Sequence, residues 1–206
     1  HEHNILLDFP DSVRELFERR ALDETPKQDD AAFVRSRWWK VLSNETAEKA
    51  AAAAAARHGF AVEIDHSCDD WDYARAADYL LDRLRTLRCG VAKACIVSGG
   101  EVTVKVPANA GVGGRNQHFA LYCAQNITGE NIAVLSAGTD GIDGTSPAAG
   151  TVADGTTLER AQKAGLDVVA HFNGFNSFPL FEKLGDAIQT GPTGNNVRDV
   201  RVLLAW

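Results

Sequence analysis

With 206 residues and a hydrophobic share of 45%, the chain is long enough to bury a core of its own and lies far from the composition of disordered segments. A net charge of −7 argues against a nucleic-acid backbone or an anionic membrane as the main partner, while a small anion held by local positive potential stays open. No apolar run reaches the roughly 18 residues of a membrane span, and no charged-then-apolar leader is read at the start.

The four cysteines, Cys68, Cys89, Cys95 and Cys123, form no CxxC pair, so neither a zinc knuckle nor a disulfide framework is expected. They read as small buried side chains in a reducing compartment, the cytoplasm by default. The sequence begins at His1 and contains no methionine, which reads as a processed, trimmed or partial chain. If His1 were the true terminus, its amino group and His3 would suit square-planar Cu(II). His66 beside Cys68 and Asp69 lacks the remainder of a metal-ligand set.

In chain order, "DSVRELFERR" (11–20) predicts a short amphipathic helix capped by Asp11 or Ser12. A polar connection leads to "WWKVLSN", read as a strand whose Ser43 or Asn44 caps a helix over 45–57. Seven consecutive alanines in that helix favour helicity and close packing on a sheet. "FAVEID" reads as a strand, and 71–88 as a helix from its apolar spacing. "AKACIVS" and "EVTVKV" read as strands joined through Gly99-Gly100 as a hairpin. A helix over 116–127, the strand "IAVLSA", a helix over 155–164 closed by Gly165, helical turns at 167–172 and 177–184, and the strand "DVRVLLA" complete the pattern. Strands alternating with helices predict an α/β fold with a mostly parallel or mixed sheet flanked by helices. Long helices before residue 90 and glycine-rich loops after it suggest two structural units.

Three loops sit at element boundaries, where α/β proteins place their sites. In "NAGVGGRNQHFALYCAQ" (109–125), a loop containing Gly113 and Gly114 runs into a helix start, where free N–H groups favour anions. Arg115 adds a planar fork for carboxylate or phosphate, and Asn116 and Gln117 add neutral hydrogen bonds. The glycine spacing is neither a Walker loop nor a dinucleotide fingerprint. In "AVLSAGTDGIDGTSPAAG" (133–150), Asp140 and Asp143 could hold Mg²⁺, orient a hydroxyl, serve as base, or simply make Asx turns. Thr139 precedes them. In "TGPTGNN" (190–196), Thr193, Asn195 and Asn196 could bond a polyhydroxy or phosphate ligand. Gly99 and Gly100 lead into Glu101, a position more often solvated than functional, and His118 is expected to be exposed.

Taken together and in this order, "SGGEVTV", "GVGGRNQHFAL", "LSAGTDGIDG", "AAG", "DGTT" and "TGPTGNNVRDVRVLL" resemble the C-terminal MOFRL region of the glycerate 2-kinase family, over about residues 90–204. Relatives often carry a hydroxypyruvate reductase label. Residues 11–60, including "VLSNETAEKAAAAAA", resemble the closing part of that family's N-terminal kinase domain. The resemblance implies residues 1–88 as the tail of a Rossmann-like domain and 89–206 as the MOFRL-type domain. It implies transfer of the γ-phosphoryl group of ATP, with Mg²⁺, to the 2-hydroxyl of D-glycerate in the cleft between the two domains.

Carried over by position, Arg115 would neutralise the glycerate carboxylate or the moving phosphoryl group. Asp140 and Asp143 would hold Mg²⁺ or take the hydroxyl proton, with Glu101 in support, and Asn195 and Asn196 would complete the polar wall. His118 departs from the acidic residue expected after "GRNQ", "GTSPAAG" lacks an aspartate before the paired alanines, and "FNSF" replaces an Asn-Asp-Ser run. The expected partners are glycerate and an upstream kinase domain, with no nucleic acid and no membrane; a homo-oligomer is compatible. Two alternatives remain: a non-catalytic hydroxy-acid-binding or assembly module, and a hydroxypyruvate reductase.

Overall fold

The computed structural model describes residues 8–19 and 23–206, in two compact units, residues 1–40 and 41–206. The candidate Cu(II) ligands His1 and His3, and Arg20 at the end of the first expected helix, lie outside the described residues.

In the first unit, helix α1 (Asp11–Glu18) starts after Pro10, not at a capping Asp11 or Ser12. Proline fits there because its fixed φ suits a helix entry and the first turn needs no donor from it. The Pro10 carbonyl accepts from the Val13 and Arg14 N–H groups, both at 3.0 Å. A 3₁₀ turn at Ala31–Phe33 is capped by Asp30, which accepts from the Ala32 N–H at 2.8 Å. The strand expected at 38–44 does not form; residues 38–43 carry no regular secondary structure, and Asn44 already opens a helix.

The second unit is a six-stranded sheet built from β1 (Ala61–Ile64), β2 (Ala94–Gly99), β3 (Ile132–Gly138), β4 (Gly150–Asp154), β5 (Ala187–Ile188) and β6 (Asp199–Ala205). Its order is β1-β2-β6-β3-β4-β5. Only β1 and β2 run parallel; every other pairing is antiparallel, so the sheet is mixed. The α/β expectation holds. The hairpin through Gly99-Gly100 does not, for a geometric reason: β2 already has β1 on one side and β6 on the other. "EVTVKV" therefore finds no free edge and makes a single bridge, Thr103 with Asp72.

Strand periodicity sorts the core into layers. One face presents Ala94, Ile96, Ile132, Val134, Leu203 and Ala205 to helices α3 (Tyr73–Gly90) and α4 (Arg115–Asn126), where Leu80, Leu81, Leu84, Phe119 and Cys123 are buried. Burying each such leucine or phenylalanine is worth about 1.5–3 kcal/mol. The opposite face sets Cys95, Val97, Val202 and Leu204 against α2 (Asn44–Arg57), whose alanines permit close contact. Ser43 caps α2 as expected, accepting from the Thr46 N–H at 3.3 Å. Helices α5 (Thr157–Lys163), α6 (Val168–Asn173) and α7 (Ser177–Leu184) form a smaller cluster with α4, in which Leu180 and Phe181 are buried. Gly165, at φ +70°, ends α5 in the left-handed conformation that glycine adopts without strain. Three cysteines are buried as expected, but Cys89 is exposed, and all four are free. Among the described residues no helix is long and apolar enough to cross a membrane.

Candidate functional site

A cavity of about 450 Å³ opens where the start of α4, the loop after β3 and the start of β6 converge. Its volume falls in the range of small-molecule sites. Of the residues expected from sequence, Gly113, Gly114, Arg115, Asn116, Thr139, Asp140, Asp143 and Asn196 line it. Gly99, Gly100, Glu101, Gln117, Thr193 and Asn195 are not among the lining residues, although Glu101, Gln117 and Thr193 bond to residues that are.

The helix start differs most from expectation. Asp143 reaches from the neighbouring loop and occupies the N-terminus of α4 with its own carboxylate. Oδ1 accepts from the Asn116 backbone N–H at 3.1 Å and the Asn116 amide at 3.3 Å. Oδ2 accepts from the Gln117 N–H at 2.9 Å and the Gln117 amide at 3.0 Å. Gly114, the N-cap, supplies no side-chain bond, so the cap is borrowed from a distant residue. A Cβ at Gly114 would collide with that carboxylate, which explains the last glycine of "GVGG". The network continues inward: Gln117 donates to Ser146 Oγ at 2.6 Å, and Ser136 donates to Asn116 Oδ1 at 2.6 Å. Burial pushes the Asp143 carboxyl upward while the four donors oppose it.

Asp140, three residues earlier, behaves differently. Oδ1 accepts from the Ile142 N–H at 3.1 Å, and Oδ2 has only a long contact of 3.5 Å with the Asn196 amide. The third loop folds against it: the Thr193 N–H donates to the Asp140 carbonyl at 2.9 Å, and the Thr193 hydroxyl to the Thr139 carbonyl at 2.6 Å. Gly141 is at φ +91°, and a Cβ there would strike the Gly191 carbonyl, so the two loops touch through glycine.

Arg115 is one-third exposed and held on two sides. It makes a bidentate pair with Asp199 (Nε–Oδ2 2.7 Å, Nη2–Oδ1 3.1 Å) and contacts Glu101 through Nη2 at 2.8 Å. Its Nη1 has no partner among the described residues. The hydrogen bonds to Asp199 raise its pKa further above the usual arginine range. Arg198 pairs in the same bidentate way with Asp69, at 2.7 and 2.6 Å. The Asp69 carboxylate also accepts from the Glu101 N–H at 3.0 Å, and Asn44 accepts from the Gly100 N–H at 2.8 Å. From inside the core, the fully buried Arg201 donates to the Gly99 carbonyl, which fixes the "SGGE" turn from behind.

Sequence reasoning passed over several of these residues. Asp199 and Arg198 look like the polar start of an ordinary strand. His118, expected to be exposed, is 1% exposed and lines the cavity. Arg198 (φ +72°) and Phe175 (φ +46°), two of three non-glycine residues with positive φ among those described, both line the cavity. Such strain persists where surrounding structure enforces it, commonly at functional sites.

The model of the MOFRL family matches residues 94–199, about half of the chain and all three loops. The chain belongs to the MOFRL family. Within and around this MOFRL segment it is 37% identical over 109 residues to a glycerate 2-kinase from Pyrococcus horikoshii, covering 53% of this chain and 25% of that protein. It is 42% identical over 108 residues to a D-glycerate 2-kinase from Thermotoga maritima, covering 52% and 26%. The crystal structure of a glycerate kinase from Thermotoga maritima superposes with a TM-score of 0.75 at 29% identity, over 93% of this chain and 49% of that one. The chain thus spans about half of that kinase structure, and the segments matched in sequence span about a quarter of those two relatives.

Among the described residues, no group of three or more His, Cys, Asp or Glu side chains is placed to hold a metal ion. Mg²⁺ bound around phosphates usually takes only one or two carboxylates. Asp140, with Oδ2 nearly free, fits that role; both Asp143 oxygens are engaged.

Proposed function

We propose that the chain is the C-terminal portion of a glycerate 2-kinase, acting on the 2-hydroxyl of D-glycerate with ATP and Mg²⁺ in a cleft shared with a Rossmann-like domain. The observation that carries this reading is the single cavity into which all three expected loops bring polar groups: Arg115, Asp140 and Asn196. The glycerate kinase relatives support the substrate and the reaction class.

Phosphoryl transfer is mainly positioning and neutralisation of charge. In this reading the open Nη1 of Arg115 meets the glycerate carboxylate or the moving phosphoryl group, while Asp199 and Glu101 fix its plane. Asp140 holds Mg²⁺ or accepts the substrate hydroxyl proton; the ion, when bound, neutralises phosphate charge. Asp143 sets the position of α4 and with it Arg115, Asn116 and Gln117. Gly99, Gly100 and Glu101 form the brace behind the arginines, and Thr193, Asn195 and Asn196 form the polar wall.

Residues 1–88 are proposed as the closing part of the Rossmann-like domain and 89–206 as the MOFRL-type domain. The exposed Val34, Trp38 and Trp39 in the first unit support a further domain as partner, since large apolar side chains gathered in one short segment mark a surface that is normally covered. An ADP-release assay with D-glycerate, ATP and Mg²⁺, on the protein joined to its upstream domain, tests the reading. Turnover is expected, falling about 100-fold or more in Arg115→Ala or Asp140→Asn. Wild-type rates in both variants would remove the site assignment, and no turnover in the joined protein would remove the function.

A further inference from the structure

Among the described residues that line the cavity, His118 alone has fully buried side-chain polar atoms with no hydrogen-bond partner. The ring lies flat against Phe172 (centroids 4.4 Å, planes 14° apart) and against Phe175 (3.9 Å, 12°), with Tyr73 edge-on at 4.6 Å. Aromatic rings thus pack on its faces, and the residue is one of those that line the cavity. Neither Nδ1 nor Nε2 has a hydrogen-bond partner, although the residue is 1% exposed. A buried polar group left unpaired is costly and rare in native proteins. Phe175 contributes to this arrangement from a strained backbone, at φ +46°. Both the strain and the orphaned nitrogens make sense if a bound molecule supplies the missing partner.

The position on α4 narrows what that partner is. Arg115 and His118 are three residues apart, so they share one face of the helix. Both line the cavity, one charged and one not. A carboxylate belongs at Arg115. Burial keeps the imidazole neutral at pH 7, with one nitrogen donating and the other accepting. A hydroxyl, itself both donor and acceptor, matches it. Val104, Val106 and Ala110 also line the cavity and carry no competing polar side-chain atoms.

We infer that His118 reads the terminal hydroxyl of a short 2-hydroxy acid whose carboxylate is held at Arg115. This rests on the proposed ligand class and adds to it a determinant of specificity. D-glycerate and D-lactate share the carboxylate and the 2-hydroxyl and differ at C3, where lactate has no hydroxyl.

Calorimetry on the full chain at pH 7 tests the inference with these two acids and the variant His118→Phe, which keeps the ring stack and deletes both nitrogens. Wild type is expected to bind D-glycerate about tenfold more tightly than D-lactate, the upper end of what one neutral hydrogen bond gives. In His118→Phe the ratio is expected to fall to about one. An unchanged ratio in the variant, or a ratio near one in wild type, overturns the inference. On wild type, independently of how the variant folds, D-glycerate should shift an imidazole ¹⁵N resonance of His118 that D-lactate leaves in place; equal shifts or none overturn it as well. If neither acid binds, the proposed ligand class falls too. If D-glycerate is phosphorylated by the joined protein while the ratio ignores His118→Phe, only the role of His118 falls.

Discussion

Asp199 grips Arg115 through both carboxylate oxygens, at 2.7 and 3.1 Å, and is itself almost completely buried. The arginine lines the cavity while its anchor sits at the first residue of β6, so its orientation is set by the sheet. Asp199→Asn should cost about 1.5–3 kcal/mol, as expected for hydrogen bonds to charged groups, and toward the low end because Arg115 is partly solvated. Urea denaturation of the variant measures it. Arg115→Lys should lose about as much, because an ammonium cannot reproduce the planar fork.

Asp143 should behave as a structural acid. Asp143→Ala leaves the Asn116 and Gln117 N–H groups buried without acceptors, and a loss of about 3 kcal/mol or more is expected. A loss below about 1 kcal/mol in urea denaturation would show that water replaces the carboxylate at the helix end.

Acid sensitivity should trace to His118. Burial lowers its pKa to about 4, with the Asp72 charge opposing weakly, against an ordinary value of 6.5. The unfolded chain therefore binds a proton between these values that the folded chain refuses. Stability is full above pH 6.5 and falls as pH drops toward 4, by about 3 kcal/mol. His118→Phe should flatten that part of the stability–pH profile. A variant profile that parallels wild type would assign the acid loss elsewhere.

Thiol labelling should be selective. Cys89 is exposed, whereas burial pushes the Cys68 and Cys95 thiols up to about 11 and that of Cys123 higher still. A neutral-pH thiol reagent should modify one cysteine in the folded protein and four in denaturant, with mass spectrometry locating the first at Cys89.

How much of this was legible in the sequence depended on whether the signal was local. The strand at 199–205 emerged with the expected limits because Val200 and the apolar run Val202-Leu203-Leu204 follow directly on a polar, glycine-containing loop. The helix beginning near 116 was placed to within one residue by the glycines before it. "EVTVKV" alternates polar and apolar residues, yet both edges of its neighbour β2 were taken, one by β1 upstream and the other by β6 at the far end of the sequence. β4 was missed because "GTVAD" is short and begins with glycine, required where the strand passes close to Ser136 and Ala137. At the site, the loops and the arginine could be read directly. The division of labour between Asp140 and Asp143 could not, since two aspartates three apart look alike until one of them is seen to reach another element's helix.

The last strand in chain order lies in the middle of the sheet. β6 is the sole link between the β1-β2 pair and the β3-β4-β5 group. A nascent chain emerging from the ribosome therefore holds two half-sheets with open edges until residues 199–205 arrive, and such long-range pairings slow folding. Arg198 and Asp199 arrive with the same strand. The cavity is completed in the step that zips the two half-sheets together, so a molecule able to grip Arg115 in its braced form reports that assembly has finished.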